Sequence, residues 1–331
     1  MQYIRFGRTG LKVSQLCLGT MTFGLQCDEA ESRAILDAAA EGGIDFLDTA
    51  DVYPLGGDRS TVGRTEEIVG RWLKGRRSQF VLATKCAGQM GAKPWDQGTS
   101  RKHVLDAIEG SLRRLGTDHV DLYQLHSYDP ATPVDEVLAA LDQIVRDGKA
   151  RYVGVSNWPA YRVARALGRG ELRNLARIDS VQPRYNLLFR PFERDLLPLC
   201  EEEGIAVIPY NPLAGGLLTG KHDGAAPPPA GTRFMLGSAG QRYQQRYWDE
   251  AKFETIERLK SVAAEAGTSL VTLALRWVLS NPAVTAPIIG ASRPGQLADN
   301  LAAAAAGPLP ADLKRRLDGM TQDWRAVDAE R

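Results

Sequence analysis

Short apolar runs rich in β-formers alternate along the chain with longer segments whose apolar residues recur every three to four positions. The runs fall at 15–19, 46–49, 80–85, 120–126, 152–156, 180–182, 206–210 and 286–290. Amphipathic stretches at 29–41, 66–74, 103–115, 134–147 and 191–203 lie between them, each with an apolar face that can cover a sheet. Strand, helix and strand in succession build a parallel sheet, because the crossover must return the chain to the edge where the first strand began. Eight such units in 331 residues predict a closed (β/α)8 TIM barrel. A doubly wound sheet of about five to seven strands is the weaker fit.

Ahead of the first unit, 3–6 and 12–14 flank Gly7 and Gly10, which predicts a β-hairpin capping the bottom of the barrel. The alternation lapses over 222–249, where Pro227, Pro228 and Pro229, several glycines and the aromatics Tyr243, Tyr247 and Trp248 gather. This stretch reads as a long loop, and loops of that length in compact domains usually serve function, so it is expected to form a lid over a cofactor. Residues 323–331 read as a polar tail. With no internal repeat or break in composition, 1–331 is expected to be one domain.

Composition narrows the class. Apolar residues make up 44% and charged residues 24%, ordinary for a soluble globular chain. Lys plus Arg number 41 against 40 Asp plus Glu, so no overall field favours nucleic acid or an anionic membrane. Cys17, Cys27, Cys86 and Cys200 are scattered without a C-x-x-C pair, and His103, His119 and His222 lack ligand spacing, so neither disulfides nor a metal is expected. No basic leader with an apolar run opens the chain, and no apolar stretch reaches membrane length, which points to the cytoplasm. The expected partner is a small molecule, and the composition leaves the oligomeric state open.

In a TIM barrel the chemistry sits at the C-terminal ends of the strands, so polar residues that close apolar runs are the ones to weigh. Asp48 closes the second run and Tyr53 follows in its loop; Lys85 closes the third and His126 the fourth. Each has a bland reading alone: a helix cap, a packed loop aromatic, a solvated lysine, a satisfied core histidine. Together they form an acid–base set, because an ammonium beside a phenol stabilises the phenolate and lowers its pKa, while a carboxylate keeps the ammonium charged and oriented.

These four positions resemble the catalytic tetrad of the aldo-keto reductase superfamily, in its long-chain bacterial type, to which potassium-channel β subunits are also similar. The likeness extends over residues 1 to about 305, through Leu18-Gly19-Thr20-Met21-Thr22-Phe23-Gly24, Gly154-Val155-Ser156-Asn157-Trp158, Val181-Gln182-Pro183-Arg184-Tyr185-Asn186, the block from Tyr210 to Lys221, and Ile288-Ile289-Gly290-Ala291-Ser292-Arg293. It implies carbonyl reduction with NADP(H), NAD(H) being the lesser alternative, and Tyr53 as general acid. By the same resemblance Ser156, Asn157 and Gln182 hold the nicotinamide carboxamide and Tyr210 stacks on the ring. Thr20 and Met21 lie in the first matching block. Asn211, Pro212, Leu213 and Gly215, with Lys221 and Arg233, are expected at the pyrophosphate. Ser292 and Arg293 would meet the 2′-phosphate, and Gln296 and Asn300 the adenine. Some relatives carry a lysine where this chain has Gly290, so the 2′-phosphate preference leans on Arg293. Met21, Phe23, Trp95, Tyr128 and Trp158 are expected to shape the substrate pocket.

Rival readings differ in class. Gly215 to Lys221 spells G-x-x-x-x-G-K, but His222 stands where a phosphate-binding loop needs Ser or Thr, which argues against nucleotide hydrolysis. A cofactor-sensing regulatory protein with little turnover is the main alternative to a reductase. A barrel hydrolase or isomerase using Asp48 and His126 is the third.

Overall fold

The computed structural model describes residues 1–224 and 226–326. Strands β1 (Tyr3–Arg5) and β2 (Lys12–Ser14) pair antiparallel as the expected hairpin. Eight parallel strands follow: β3 (Cys17–Gly19), β4 (Phe46–Asp48), β5 (Val81–Cys86), β6 (Val120–Leu125), β7 (Ala150–Ser156), β8 (Ile178–Gln182), β9 (Ala206–Val207) and β10 (Ile288–Gly290). Helices α1 (Glu29–Glu41), α2 (Arg64–Leu73), α3 (Arg101–Leu115), α4 (Val134–Arg146), α5 (Ala160–Arg173) and α6 (Leu196–Glu203) cross over between successive strands from β3 to β9. After β9 come α7 (Gly237–Tyr247), α8 (Glu250–Glu265) and α9 (Leu270–Leu279); after β10 come α10 (Leu297–Ala306) and α11 (Ala311–Met320).

Sheet order is β10-β3-β4-β5-β6-β7-β8-β9, and hydrogen bonds close the ring between its two ends. Thr285 N donates to Val207 O at 2.8 Å and Ile288 N to Pro209 O at 2.8 Å. The fold is therefore the (β/α)8 barrel. Of the run 206–210, only Ala206–Val207 form ladder strand, because Pro209 has no N–H to give.

Local sequence sets the helix starts. Asp28 accepts from Glu31 N at 2.8 Å while Glu31 returns a bond to Asp28 N at 3.1 Å, a reciprocal capping box for α1. Ser100 and Ser269 cap α3 and α9 singly, their side-chain oxygens accepting from His103 N and Thr272 N. The stretch 191–203 begins as a separate 3-10 turn, Pro191–Glu193, before α6.

The hairpin plugs the bottom. Phe6, just past β1, is fully buried and meets the Phe46 ring edge-on at 6.0 Å, among inward-facing Cys17, Ala83 and Leu122. Burying one such ring contributes about 2–3 kcal/mol. A larger apolar layer between strands and helices holds the rest.

One expectation needs correction. The stretch 222–249 is not a plain loop: after a 3-10 turn at Arg233–Met235 it forms α7, whose Ala239, Tyr243 and Tyr247 are buried. The tail is ordered at its start, where Gln322–Arg325 make a 3-10 turn and Arg325 pairs with Glu193 at 3.1 Å; 327–331 lie outside the described residues. Among the described residues no single helix is long and apolar enough to cross a membrane.

Candidate active site

Successive strands deliver the site. Strand β4 ends on Asp48, β5 carries Lys85 and β6 carries Gln124, all buried and all at the C-terminal rim. Lys85 Nζ donates to Asp48 Oδ2 at 2.7 Å and to the Thr49 carbonyl at 2.7 Å, and it stands 3.5 Å from Tyr53 Oη. Asp48 uses its other oxygen, Oδ1, to accept from Gln182 Nε2 at 3.0 Å and Gln124 Nε2 at 3.2 Å. Both oxygens of this buried carboxylate are thus partnered, as burial of a charge requires.

Gln124 was not among the sequence expectations. Its signal is a lone amide in the apolar run Val120 to Leu125, and the neighbouring strand makes room for it. A Cβ on Gly154 would come within 3.3 Å of Gln124 Cγ and 2.1 Å of Ser180 Oγ, so only glycine fits.

Tyr53 and His126 face each other across the mouth, ring centroids 5.6 Å apart at 81°. Burial pushes the Tyr53 phenol above its ordinary value, and the Lys85 charge pulls it back without overturning that. The sequence-based expectation of a phenol lowered outright is therefore half right: the lysine acts in the expected direction, but the dry surroundings outweigh it. Burial also works against the Lys85 charge, yet Asp48 and Tyr53 together hold it above its usual value. His126 is pushed down to about 3, by burial first and then by the Lys85 and Arg242 charges, so its imidazole is neutral. A half-open ring surface does not contradict this, since the ring sits deep in the rim with two cations near it.

Behind Lys85 lies a second charged layer. Buried Glu66 on α2 accepts from Arg114 Nε at 2.7 Å and from the Thr84 hydroxyl. Asp51, fully buried beside it, is held well above the carboxylate range by burial and by the Glu66 charge.

The residues expected at a cofactor line the rim from β7 to β10. Ser156 Oγ donates to the Gln182 carbonyl at 2.8 Å; Asn157 Nδ2 donates to the His126 carbonyl at 3.1 Å, and Tyr210 Oη donates to Asn157 Oδ1 at 2.8 Å. Gln182 turns its amide to Asp48, a partner the sequence did not suggest. Thr20, fully buried, donates to the Asp48 carbonyl at 3.0 Å, beside half-buried Met21. Asn211, Ala214, Gly215 and Gly216 all adopt positive φ, so the chain turns tightly from Asn211 through Pro212 and Leu213 into Ala214–Thr219, a 3-10 stretch interrupted at its two glycines. No helix continues it, unlike a phosphate-binding loop.

Residues 233–247 pack against this rim. Tyr243 Oη donates to Asn211 Oδ1 at 3.1 Å, and a Cβ on Gly56, in the loop carrying Tyr53, would touch Leu236 at 3.2 Å. Arg233 reaches Gly290: its Nη2 lies 3.6 Å from where a Cβ would stand. Lys221 and Arg293 are exposed. Gln296 Oε1 accepts from Ser292 N at 2.8 Å, while Asn300 is buried, its Nδ2 spent on the Gln296 carbonyl at 3.1 Å. Among the expected pocket residues, Tyr128 and Trp158 meet edge to face at 5.5 Å and Trp95 is exposed. Phe23 is a correction: it is fully buried in the main core rather than at the mouth.

Sequence comparison agrees with this architecture. The Aldo/keto reductase family model matches residues 15–321. The chain is 39% identical to "Uncharacterized oxidoreductase YrpG" of Bacillus subtilis, over 92% of this chain and 91% of that one. It is 38% identical to a "Probable voltage-gated potassium channel subunit beta" of Oryza sativa, over 93% of each. It is 32% identical to "Aldo-keto reductase YhdN" of Bacillus subtilis, over 90% and 87%. The chain belongs to the aldo/keto reductase family. That membership makes it an oxidoreductase in general class.

Proposed function

We propose that the chain reduces an aldehyde or ketone to the alcohol with NADP(H), Tyr53 serving as the general acid. The observation that carries this reading is the buried Lys85 ammonium, bound at 2.7 Å to Asp48 and 3.5 Å from Tyr53 Oη, with His126 neutral across the mouth. When bound, the nicotinamide cofactor supplies hydride to the carbonyl carbon. Tyr53 holds the proton that the carbonyl oxygen receives, and its raised pKa keeps that proton in place across the neutral range. Lys85 stabilises the phenolate left behind, and neutral His126 orients the carbonyl by a hydrogen bond without competing as an acid.

The rim fits such a cofactor. Asn211 Nδ2 and Asn300 Oδ1 are buried polar atoms with no partner among the described residues, one at each end of the expected channel. Lys221, Arg233 and Arg293 have no carboxylate partner among the described residues, which suits phosphates, and the bare Cα of Gly290 leaves Arg233 its space. The 222–249 segment acts as the lid. NADP(H) is favoured over NAD(H) through Arg293, and the four buried free thiols suit a reducing cytoplasm.

Tyr53→Phe tests the acid. Its kcat for a panel of aldehydes should fall about 10²- to 10³-fold, as for loss of a donor to a developing oxyanion, with the NADPH Kd within about twofold of the parent. Parent-level turnover would remove Tyr53 from the mechanism. The channel-subunit relatives support a second reading, a cofactor sensor; tight NADPH binding by the parent with negligible turnover of every carbonyl tried would favour it.

A further inference from the structure

The reduction chemistry leaves the charged layer behind the mouth without a task. A strand turns successive side chains to opposite faces, so while Lys85 enters the mouth, its neighbour Thr84 on β5 faces the helix layer. There the Thr84 hydroxyl donates to Glu66 Oε1 at 2.5 Å, and Glu66 Oε2 accepts from Arg114 Nε at 2.7 Å. Thr84 and Glu66 are both fully buried. A carboxylate taken this far from water is held in place by its two partners, because losing either leaves it uncompensated. Helix α2, which carries Glu66, is itself seated hard on α3: four residues on, a Cβ at Gly70 would stand 2.6 Å from the Leu115 carbonyl.

The same pair reaches the loop of Tyr53. Gly63, the residue before α2, donates its N–H to the Tyr53 carbonyl at 3.0 Å. Its φ is 86°, and a Cβ there would lie 2.5 Å from Arg114 Cδ, so the arginine stem lies directly against it. On the other side of Tyr53, Asp51 donates its N–H to the Lys85 carbonyl at 3.0 Å. Glu66 and Arg114 thus join the strand that carries Lys85 to the loop that carries Tyr53. Among the described residues neither bonds the side chain of Asp48, Tyr53, Lys85 or His126. What they can affect is spacing. Lys85 Nζ lies 2.7 Å from Asp48 and from the Thr49 carbonyl but 3.5 Å from Tyr53 Oη, at the limit of hydrogen-bond reach, where a small shift of either backbone decides whether the contact exists.

We propose that Glu66 and Arg114 are positioning residues: their buried pair clamps β5 through Thr84 and the Tyr53 loop through Gly63, and so sets the separation of Lys85 Nζ from Tyr53 Oη. This rests on the reading of Tyr53 as the general acid of a carbonyl reduction. Catalysis of that kind is sensitive to such a clamp, since a misplacement of about 1 Å transmitted from outside the site can cost on the order of 10²-fold in rate.

Thr84→Val removes the hydroxyl and keeps the shape of the side chain, whereas Thr84→Ser keeps the hydroxyl. In the full chain with NADPH and a panel of aldehydes, Thr84→Val should lower kcat about tenfold while KM and the NADPH Kd stay within about twofold of the parent, and Thr84→Ser should recover most of the loss. Glu66→Gln, which leaves Arg114 without its anion, should lower kcat at least as far. Circular dichroism reports folding, and Glu66→Gln carries the comparison if Thr84→Val does not fold. A second readout needs no turnover. With fluorotyrosine at all ten tyrosines, the fluorine resonance lost in Tyr53→Phe belongs to Tyr53. It should shift in Thr84→Val and Glu66→Gln and return in Thr84→Ser; the resonance of Tyr123, the register neighbour of Thr84, moves on any account and does not count. Parent-level kcat in the folded variants overturns the proposal, and so does a loss carried wholly by KM or by the NADPH Kd. If the parent turns over none of the aldehydes, the reductase reading fails by itself and the Tyr53 resonance decides: shifted and rescued, it upholds the clamp; unmoved, it overturns it.

Discussion

Replacing Asp48 by asparagine keeps the shape of the buried pair and removes half its charge. Lys85 would retain the Thr49 carbonyl at 2.7 Å and Tyr53 at 3.5 Å, but its ammonium would stand fully buried with no anion. Leaving one partner of a buried ion pair uncompensated costs about 3–5 kcal/mol. For 331 residues the unfolding entropy near Tm is about 0.7 kcal/mol/K, so Tm should fall by roughly 4–7 °C at pH 7. The pH dependence carries a sharper sign. In the parent, Asp48 and Tyr53 hold the lysine above its ordinary value against burial, so its stabilisation is complete below a pH of about 10.4 and is lost as pH rises through that raised value. In Asp48→Asn, burial wins and the folded lysine drops below its unfolded value. The unfolded chain then binds more protons, and stability climbs with pH toward about 10.4. Scanning calorimetry of both proteins at pH 6, 7.5 and 9 reads this directly. A Tm deficit under about 1 °C, or a deficit that does not shrink as pH rises, would refute the account of Lys85 as a charge held in place by Asp48.

Further outcomes follow from neighbouring groups. His126 sits near 3 when folded, below its unfolded value of about 6.5, so the parent loses stability as pH drops between these values. His126→Gln should lose less stability than the parent between pH 7 and 4 in denaturant melts, and equal losses would contradict the buried neutral imidazole. Arg114→Met strands the buried Glu66 carboxylate and should cost about 3 kcal/mol, whereas the double variant Arg114→Met with Glu66→Gln should recover most of it. Matching unfolding midpoints for the single and double variants would show that the pair carries no coupling.

The ring of strands could be read from the chain because each barrel strand is buried on both faces, and such strands appear as uninterrupted apolar runs. The four groups around Tyr53 were legible for a related reason. A polar residue closing an apolar run in a barrel has one place to go, the C-terminal rim. What escaped was set by contacts between distant segments. Helix α7 hid because its buried positions, Ala239, Tyr243 and Tyr247, recur every four residues amid two glycines and several Gln and Arg, and only packing against Asn186, Asn211 and Phe234 makes them a face. The net direction of the Tyr53 shift depends on how dry the mouth is, which no spacing reports. The burial of Arg184, named in the chain only as part of the block Val181 to Asn186, comes from Tyr210 and the Phe189 ring beside it.

The seam between β9 and β10 separates the mouth into two unlike halves. On one side, β5 and β6 are six-residue strands in continuous register and carry Lys85 and Gln124. On the other, β9 is two residues long, is stitched to the β10 side by a few backbone bonds, and leads directly into Tyr210, Asn211 and the segment bearing α7. On the proposed reading, proton handling is anchored to the longer strands of the ring, while the residues expected at the cofactor follow its shortest one. On that reading, substitutions beside Tyr210, Asn211 and α7 can change what is bound without touching the strands that carry Lys85 and Gln124.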